Sequence, residues 1–253
     1  MTSGTKRGAI ALAVIVIAAG VVYEWRERTA PVPAAKVATV EAPAETEPPL
    51  ASPTTNPDGT ADTEPALESE VAAALGFTNL PDFVYTDRLL RRFVASVDAL
   101  PRAQVSLGIR SVRPVRGTFM AEGSDDKLRV APGNDARYDD IVAALERVEP
   151  TAAAELYQRL YPRLQQTYEE LGYPGRSFHA RVIEVIDQLL ATPQLPAAAE
   201  LVRPNVEYLY ADPAFEHRSA GQKALMRLGP RNETRVKARL RAIRAQLVTR
   251  PQH

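Results

Sequence analysis

The stretch ELYQRLYPRLQQTYEELGYPGRSFHARVIEVIDQLL, from Glu155 to Leu190, restricts what this chain can fold into more than any other. At about 100° per helical residue, Leu156, Leu160, Leu164 and Leu171 share one arc. Tyr157, Tyr161 and Tyr168 fall at its edge, with Glu155, Gln158, Arg159, Arg163, Gln165, Gln166, Glu169 and Glu170 opposite. That is an apolar stripe facing a core, with the tyrosines expected at the solvent boundary. Pro162 removes one backbone donor and is expected to kink or restart the helix. Gly172 suits a left-handed helix end, Pro174 prevents resumption, and Ser177 fits the cap of a second helix. Phe178, Val182, Ile183, Val185, Ile186, Leu189 and Leu190 form the second apolar face, which stops at Thr192-Pro193. A connection this short makes the two helices packed neighbours, a helical hairpin.

The N-terminus has a different character. Lys6 and Arg7 precede an uninterrupted apolar run, Gly8–Val22, followed by Tyr23 and Trp25 among charges. Eighteen helical residues span roughly 27 Å, close to a bilayer core, and the aromatics suit its interface. A retained signal anchor, residues 1–28, is the reading that fits, with Gly8–Trp25 in the membrane. Cleavage near the small residues Ala18 and Gly20 is the competing one. Lys6, Arg7 and the terminal amine favour an N-terminus inside and a domain outside the cytoplasm, although Arg26 and Arg28 nearly balance them. Residues 29–67 are rich in Pro, Ala, Thr and Glu, with Lys36 the one base. Such a composition buries too little apolar surface to fold and is expected to be an extended, disordered tether.

From residue 68 to 253 the composition is globular. Glu68–Phe77 reads as a short helix ending at Gly76. Thr86 is expected to cap the next helix, with Asp87 in its first turn; Leu89, Leu90, Phe93, Val94 and Val97 form the core face before Pro101. Phe119, Leu128 and Val130 alternate with polar neighbours on either side of Gly123-Ser124-Asp125-Asp126, a β-hairpin signal. Asn134 is expected to cap a helix carrying Tyr138, Ile141, Val142, Leu145 and Val148. Ala197–Tyr210 reads as extended chain along the helical hairpin. Ser219 to Gln222 is a capping-box pattern, and Gly229-Pro230 ends one helix and begins the last. The last helix has the seam Val236, Leu240, Ile243, Leu247, ringed by Arg231, Arg235, Lys237, Arg239, Arg241 and Arg244, with Glu233 the only acid. The expected fold is mainly α, a single domain on the helical hairpin with one small β-hairpin. A sheet of four or more strands, or exposure of both Leu160 and Ile186, would contradict it.

Net charge is zero overall, but from Val71 onward 26 Lys and Arg face 21 Asp and Glu. There is no cysteine, hence no disulfide, thiolate zinc site or cysteine nucleophile. His179, His217 and His253 lack metal spacing, and His179 reads as a satisfied, half-buried histidine. No nucleophile elbow or phosphate loop is present. Glu169, Glu170, Glu184 and Asp187 point away from the apolar faces and read as solvated charge. Arg102, Arg110, Arg113 and Arg116 form a basic loop that could bind an anion, though such runs are more often solvated surface. No catalytic residue, metal or cofactor is expected.

The ordered segments LLRRFVASVDALPR, ARYDDIV, LYPRLQQTYEELGYPGRSFHARVIEVIDQLLATP, LVRPNVEYLYADPAFE and SAGQKALMRLGPRN together resemble an uncharacterised bacterial membrane-anchored family, domain of unknown function 3014, over nearly all of residues 70–248. The resemblance implies a bacterial envelope protein and carries no activity. The expectation is a single-pass protein of the inner membrane with a periplasmic domain that acts as a binding or structural module, its partner an envelope protein or anionic polymer. Two alternatives are an envelope hydrolase using carboxylates near Glu170 and Glu184, and an anionic-surface binder using Arg235, Arg239 and Arg244. Nucleic acid is not an expected partner in this orientation.

Overall fold

The structure, a computed structural model, describes residues 64–124, 127–196, 199–204 and 207–249. The expected anchor over residues 1–28 and most of the tether lie outside them. Among the described residues no helix is long and apolar enough to cross a membrane. Eight α-helices are described: α1 (Glu64–Leu75), α2 (Leu89–Ala99), α3 (Asp139–Arg147), α4 (Pro150–Glu170), α5 (Phe178–Leu190), α6 (Pro213–Glu216), α7 (Ala220–Arg227) and α8 (Gly229–Thr249). Helix α1 begins four residues before the expected domain boundary, and its Leu67 is buried.

The helical hairpin is α4 and α5. Helix α4 runs unbroken through Pro162, so the expected restart does not occur. Gly172 follows with φ of 100°, a left-handed conformation that L side chains resist. The Ser177 hydroxyl accepts from the Ala180 amide at 3.1 Å and caps α5. Gln165 clamps the turn from inside α4. Its Oε1 accepts from the Phe178 amide at 2.8 Å, and its Nε2 donates to the Arg176 carbonyl at 2.9 Å. One side chain thus satisfies backbone groups that neither helix can serve.

Helices α1, α2 and α8 pack on α4; α2, α7 and α8 pack on α5. Leu156, Leu160, Leu164 and Ile186 are buried, and so are the seam residues Val236, Leu240, Ile243 and Leu247. Tyr157 and Tyr168 are inside as well, not at the solvent boundary. Covering helices from elsewhere in the chain move that boundary outward. Phe178 presents its ring edge-on to Phe93 (centroids 6.0 Å, 82°).

A buried carboxylate pins the hairpin's turn to α2. Asp98 is 4 % exposed. It accepts from Tyr173 Oη at 2.9 Å and from Arg181 Nε at 3.1 Å, and it pairs with Arg102. Arg181 also donates to the Asp98 carbonyl and to Glu184. Tyr173 stacks on Tyr168 (4.6 Å, 17°).

The expected single β-hairpin is one half of a four-stranded antiparallel sheet, ordered β1 (Ala121–Glu122), β2 (Leu128–Val130), β3 (Glu200–Val202), β4 (Leu209–Tyr210). Leu128 pairs with Leu201, and Leu201 with Tyr210. This overturns the expectation of a fold without such a sheet. Strands β3 and β4, at three and two residues, are too short to display alternation. The chain they occupy is extended as expected but pairs with β2. Phe119, Leu128, Leu201, Tyr208, Tyr210 and Met226 form a second, smaller core beneath the sheet. Glu216 closes the outer edge, accepting from the Tyr210 amide at 3.0 Å while paired with Lys223 at 2.8 Å.

Two expected caps differ, and a third is half made. Thr86 does not cap α2; Arg88 stands before it with φ of 53°, and Asp87 holds Arg92 at 2.7 Å instead. Asn134 does not cap a helix. Its amide accepts from the Met120 amide at 3.0 Å and donates to the Ala131 carbonyl at 3.0 Å, latching the end of the β1–β2 hairpin. In the capping box Ser219 accepts from the Gln222 amide, but the Gln222 side chain turns to the Gln188 carbonyl at 3.2 Å.

The Asp98 cluster yields a stability prediction. Asp98→Asn keeps the shape but leaves Arg181 without its buried counter-charge, at a cost of about 2 kcal/mol. Arg102→Gln removes a guanidinium that is 56 % exposed and costs less than about 1 kcal/mol. Urea denaturation of the two variants checks the ranking.

Candidate functional site

The sequence's candidate residues take mostly structural roles. Glu169 accepts from Gln165 and Glu170 from Gln166, each one turn away along α4. Glu184 holds Arg181, and Asp187 holds Arg244. All four acids are exposed, and none lines either of the two cavities described below. His179 is half-buried, with Nδ1 3.3 Å from Tyr157 Oη and its ring edge-on to Tyr161. Desolvation holds its imidazole below its ordinary pKa. Among the described residues no group of three or more His, Asp or Glu is placed to hold a metal ion.

Of the basic loop only Arg110 is buried, and Arg102, Arg113 and Arg116 are exposed. Arg102 joins Asp98, Arg110 is buried beside the Val105 carbonyl, and Arg113 donates to the Pro81 carbonyl and lies over Tyr85. Four arginines of α8 have partners within the fold, Arg231 with Asp139 among them. Arg235 makes a two-pronged contact with Glu146 of α3, its Nε 2.9 Å from Oε1. Arg239 donates to the Glu146 carbonyl, and Arg244 reaches Asp187 of α5 at 2.9 Å. Lys237, expected at the surface, is buried with Glu233 at 2.6 Å.

Concavity lies elsewhere. Where the sheet meets the corner between α7 and α8, side chains from four separated stretches line a cavity of 180 Å³. Phe119 and Val130 come from the first hairpin, Leu195 and Pro196 from the segment after α5, Tyr210 from β4, and Met226 and Arg227 from the end of α7. Gly229 makes the corner. Its φ is 79°, and a Cβ there would lie 2.7 Å from the Asp135 Cβ. Apolar walls with a few gathered polar groups are the usual make-up of a small-ligand site.

The polar groups have identifiable surroundings. Tyr210, 3 % exposed, lies within electrostatic reach of Arg227, and burial pushes its hydroxyl far above the ordinary tyrosine pKa. Behind the lining, Tyr138, 1 % exposed, lies within electrostatic reach of both, and burial raises its hydroxyl too. Its Oη has no hydrogen-bond partner among the described residues. Asp135, half-buried, stands in the lining beside Gly229. No pattern in the sequence pointed here, because the lining comes from residues more than 100 positions apart. Phe119, Val130, Asn134 and Gly229-Pro230 read in the sequence as hairpin, cap and helix junction, not as parts of one wall. A wider groove of 480 Å³ passes Gln188, His217, Arg218 and Ser219.

The α3–α8 contact gives a pH prediction. The hydrogen bond from Arg235 holds the Glu146 carboxyl below its ordinary pKa. Asn232 and Arg231 do the same for Asp139, and Arg244 for Asp187. A carboxyl lowered on folding stabilises the native state above its unfolded pKa, and that contribution is lost as pH falls through the lowered value. Arg235→Gln should therefore cost roughly 0.5–1 kcal/mol at neutral pH after screening, and the difference from the parent should shrink below about pH 4. Thermal unfolding from pH 7 to 3 checks this.

Residues 89–244 match the family described as Protein of unknown function (DUF3014). No curated protein and no solved structure matches the chain. The matched span runs from α2 through most of α8 and contains the sheet and every residue lining the 180 Å³ cavity, and on that match the chain belongs to the DUF3014 family.

Proposed function

We propose that the chain is a membrane-tethered binding module whose folded domain faces outside the cytoplasm and recognises its ligand at the cavity between the sheet and the α7–α8 corner. The observation that carries this reading is the separation of acids from concavity. Glu169, Glu170, Glu184 and Asp187 sit on solvent-facing surface, each with its own partner, whereas the cavity has carbon walls and a small group of polar side chains. A hydrolase needs its acid and base within reach of one bound substrate, and these carboxylates do not provide that. Tethering rests on the apolar run Gly8–Val22 and the Pro- and Glu-rich stretch after it. Orientation rests on Lys6 and Arg7.

Docking of an anionic surface through Arg235, Arg239 and Arg244 is the weaker reading. It would compete with Glu146 and Asp187, which already hold those guanidinium groups. Replacing all three by Gln should leave binding to anionic vesicles unchanged. Salt-dependent binding lost in the variant would restore that alternative.

A phosphatase fused after His253 should be active in intact cells, and a fluorescent protein fused there should be dark; the reverse result places the domain in the cytoplasm. A photo-reactive residue at Pro132, on the exposed rim of the cavity, should give a discrete adduct in the full-length chain in its membrane. The same residue at Glu170 should not. Matching smears from both positions would retire the binding site. Turnover of a wall or lipid substrate by the purified chain, abolished by Glu170→Gln or Glu184→Gln, would replace the module with an enzyme.

A further inference from the structure

The cavity's size, and what its polar groups already do, narrow what it holds. A dry cavity of about 150 Å³ accepts one benzene ring, so 180 Å³ takes one ring or one branched aliphatic group. Phe119, Val130, Leu195 and Met226 supply carbon contacts. Among the described residues the lining holds one base, Arg227, and one acid, Asp135, both half-buried. Their opposite charges favour neither an anion nor a cation. The other polar groups are engaged inside the fold. The Asn134 amide serves Met120 and Ala131, and Tyr210 and Arg227 both take part in interactions of their own. A charged ligand would therefore give up water without gaining an unopposed counter-charge. Where the lining meets solvent, Pro132, Pro196 and Pro230 are exposed. Proline has a fixed φ and no N–H, so this mouth is stiff and poor in donors.

We infer that the cavity binds a small uncharged apolar molecule, a single aromatic ring or a branched hydrocarbon of similar size, held by carbon contacts with Phe119, Val130, Leu195 and Met226. This names the ligand class of the binding module and rests on that reading. Affinity comes from apolar surface leaving water, and little of it is lost to ordering walls that are already in place. Charge of either sign on the ligand opposes binding, because its hydration has no full replacement inside.

The chain offers its own reporter. Met226 lines the cavity, whereas Met120 is 46 % exposed and does not. The full-length chain in nanodiscs, carrying ¹³C-methyl methionine, is titrated with toluene, benzoate and benzylamine, which share a ring and differ in charge. Free probe is measured in the buffer. Toluene should shift the Met226 methyl saturably and leave Met120 still. Benzoate and benzylamine should each bind at least about tenfold more weakly. Ala131→Leu and Ala199→Leu add carbon to the lining from two separate stretches, and each should weaken toluene by about tenfold. A parent-like thermal transition shows which variant keeps the fold, and either one suffices. Benzoate binding as tightly as toluene would overturn the uncharged ligand and make Arg227 the anchor. Benzylamine binding as tightly would overturn it in favour of Asp135. Toluene binding that ignores a folded leucine variant would overturn the seat in this cavity. If no probe moves Met226 while the Pro132 adduct still forms, the ligand class falls and the module stands; if neither occurs, both fall.

Discussion

Everything in this domain leans on the buried face of α4. Leu156, Tyr157, Leu160, Leu164 and Tyr168 each lose nearly all contact with water, and burying a side chain of that size stabilises by roughly 1.5–3 kcal/mol. No single neighbour could cover so wide a face. It takes α1, α2, α5 and α8 together, drawn from both ends of the described chain. The Pro162 ring is accommodated within this helix, because tertiary packing on all sides outweighs one missing hydrogen bond.

The polar groups that define the arrangement are few and sit where helices end or meet. Gln165 completes the turn of the hairpin, Asp98 ties that turn to α2, and Glu146 and Asp187 hold α8 against α3 and α5. Each replaces contact with water by a charge-assisted or backbone hydrogen bond at a junction. The arginines that look like an interaction surface along α8 are therefore largely mortar between helices. A helix's own periodicity does not distinguish that case from a solvated face, because their partners lie 57 to 93 positions away.

Local pattern explains what the sequence disclosed. Both helices of the hairpin, the Gly172 stop, the Ser177 and Ser219 caps and the α8 seam are signals within a turn or two of chain, and each is where it was expected. Signals that depend on distant partners stayed hidden. Strands β3 and β4 are too short to alternate visibly, the tyrosine boundary moved because other helices cover it, and Asp98 is an ordinary acid until Arg181 arrives. The cavity belongs to the same class. Val130 and Leu195 have no local reason to be neighbours, so no motif announced the wall they share.

The pairing of β2 with β3 has a further consequence. Leu128 meets Leu201 only after the chain between them has gone out through α3, along the whole helical hairpin and back. Closing so long an excursion costs chain entropy that local helix contacts do not incur. The sheet therefore belongs to the late stages of folding and to the first partial openings of the native state, while the bundle beneath it persists. Its walls include residues on both sides of that closure, so the cavity comes and goes with the sheet. A ligand seated there would act as a clasp on the two halves of the sheet, and its binding would register as slowed amide exchange in strands far apart in sequence.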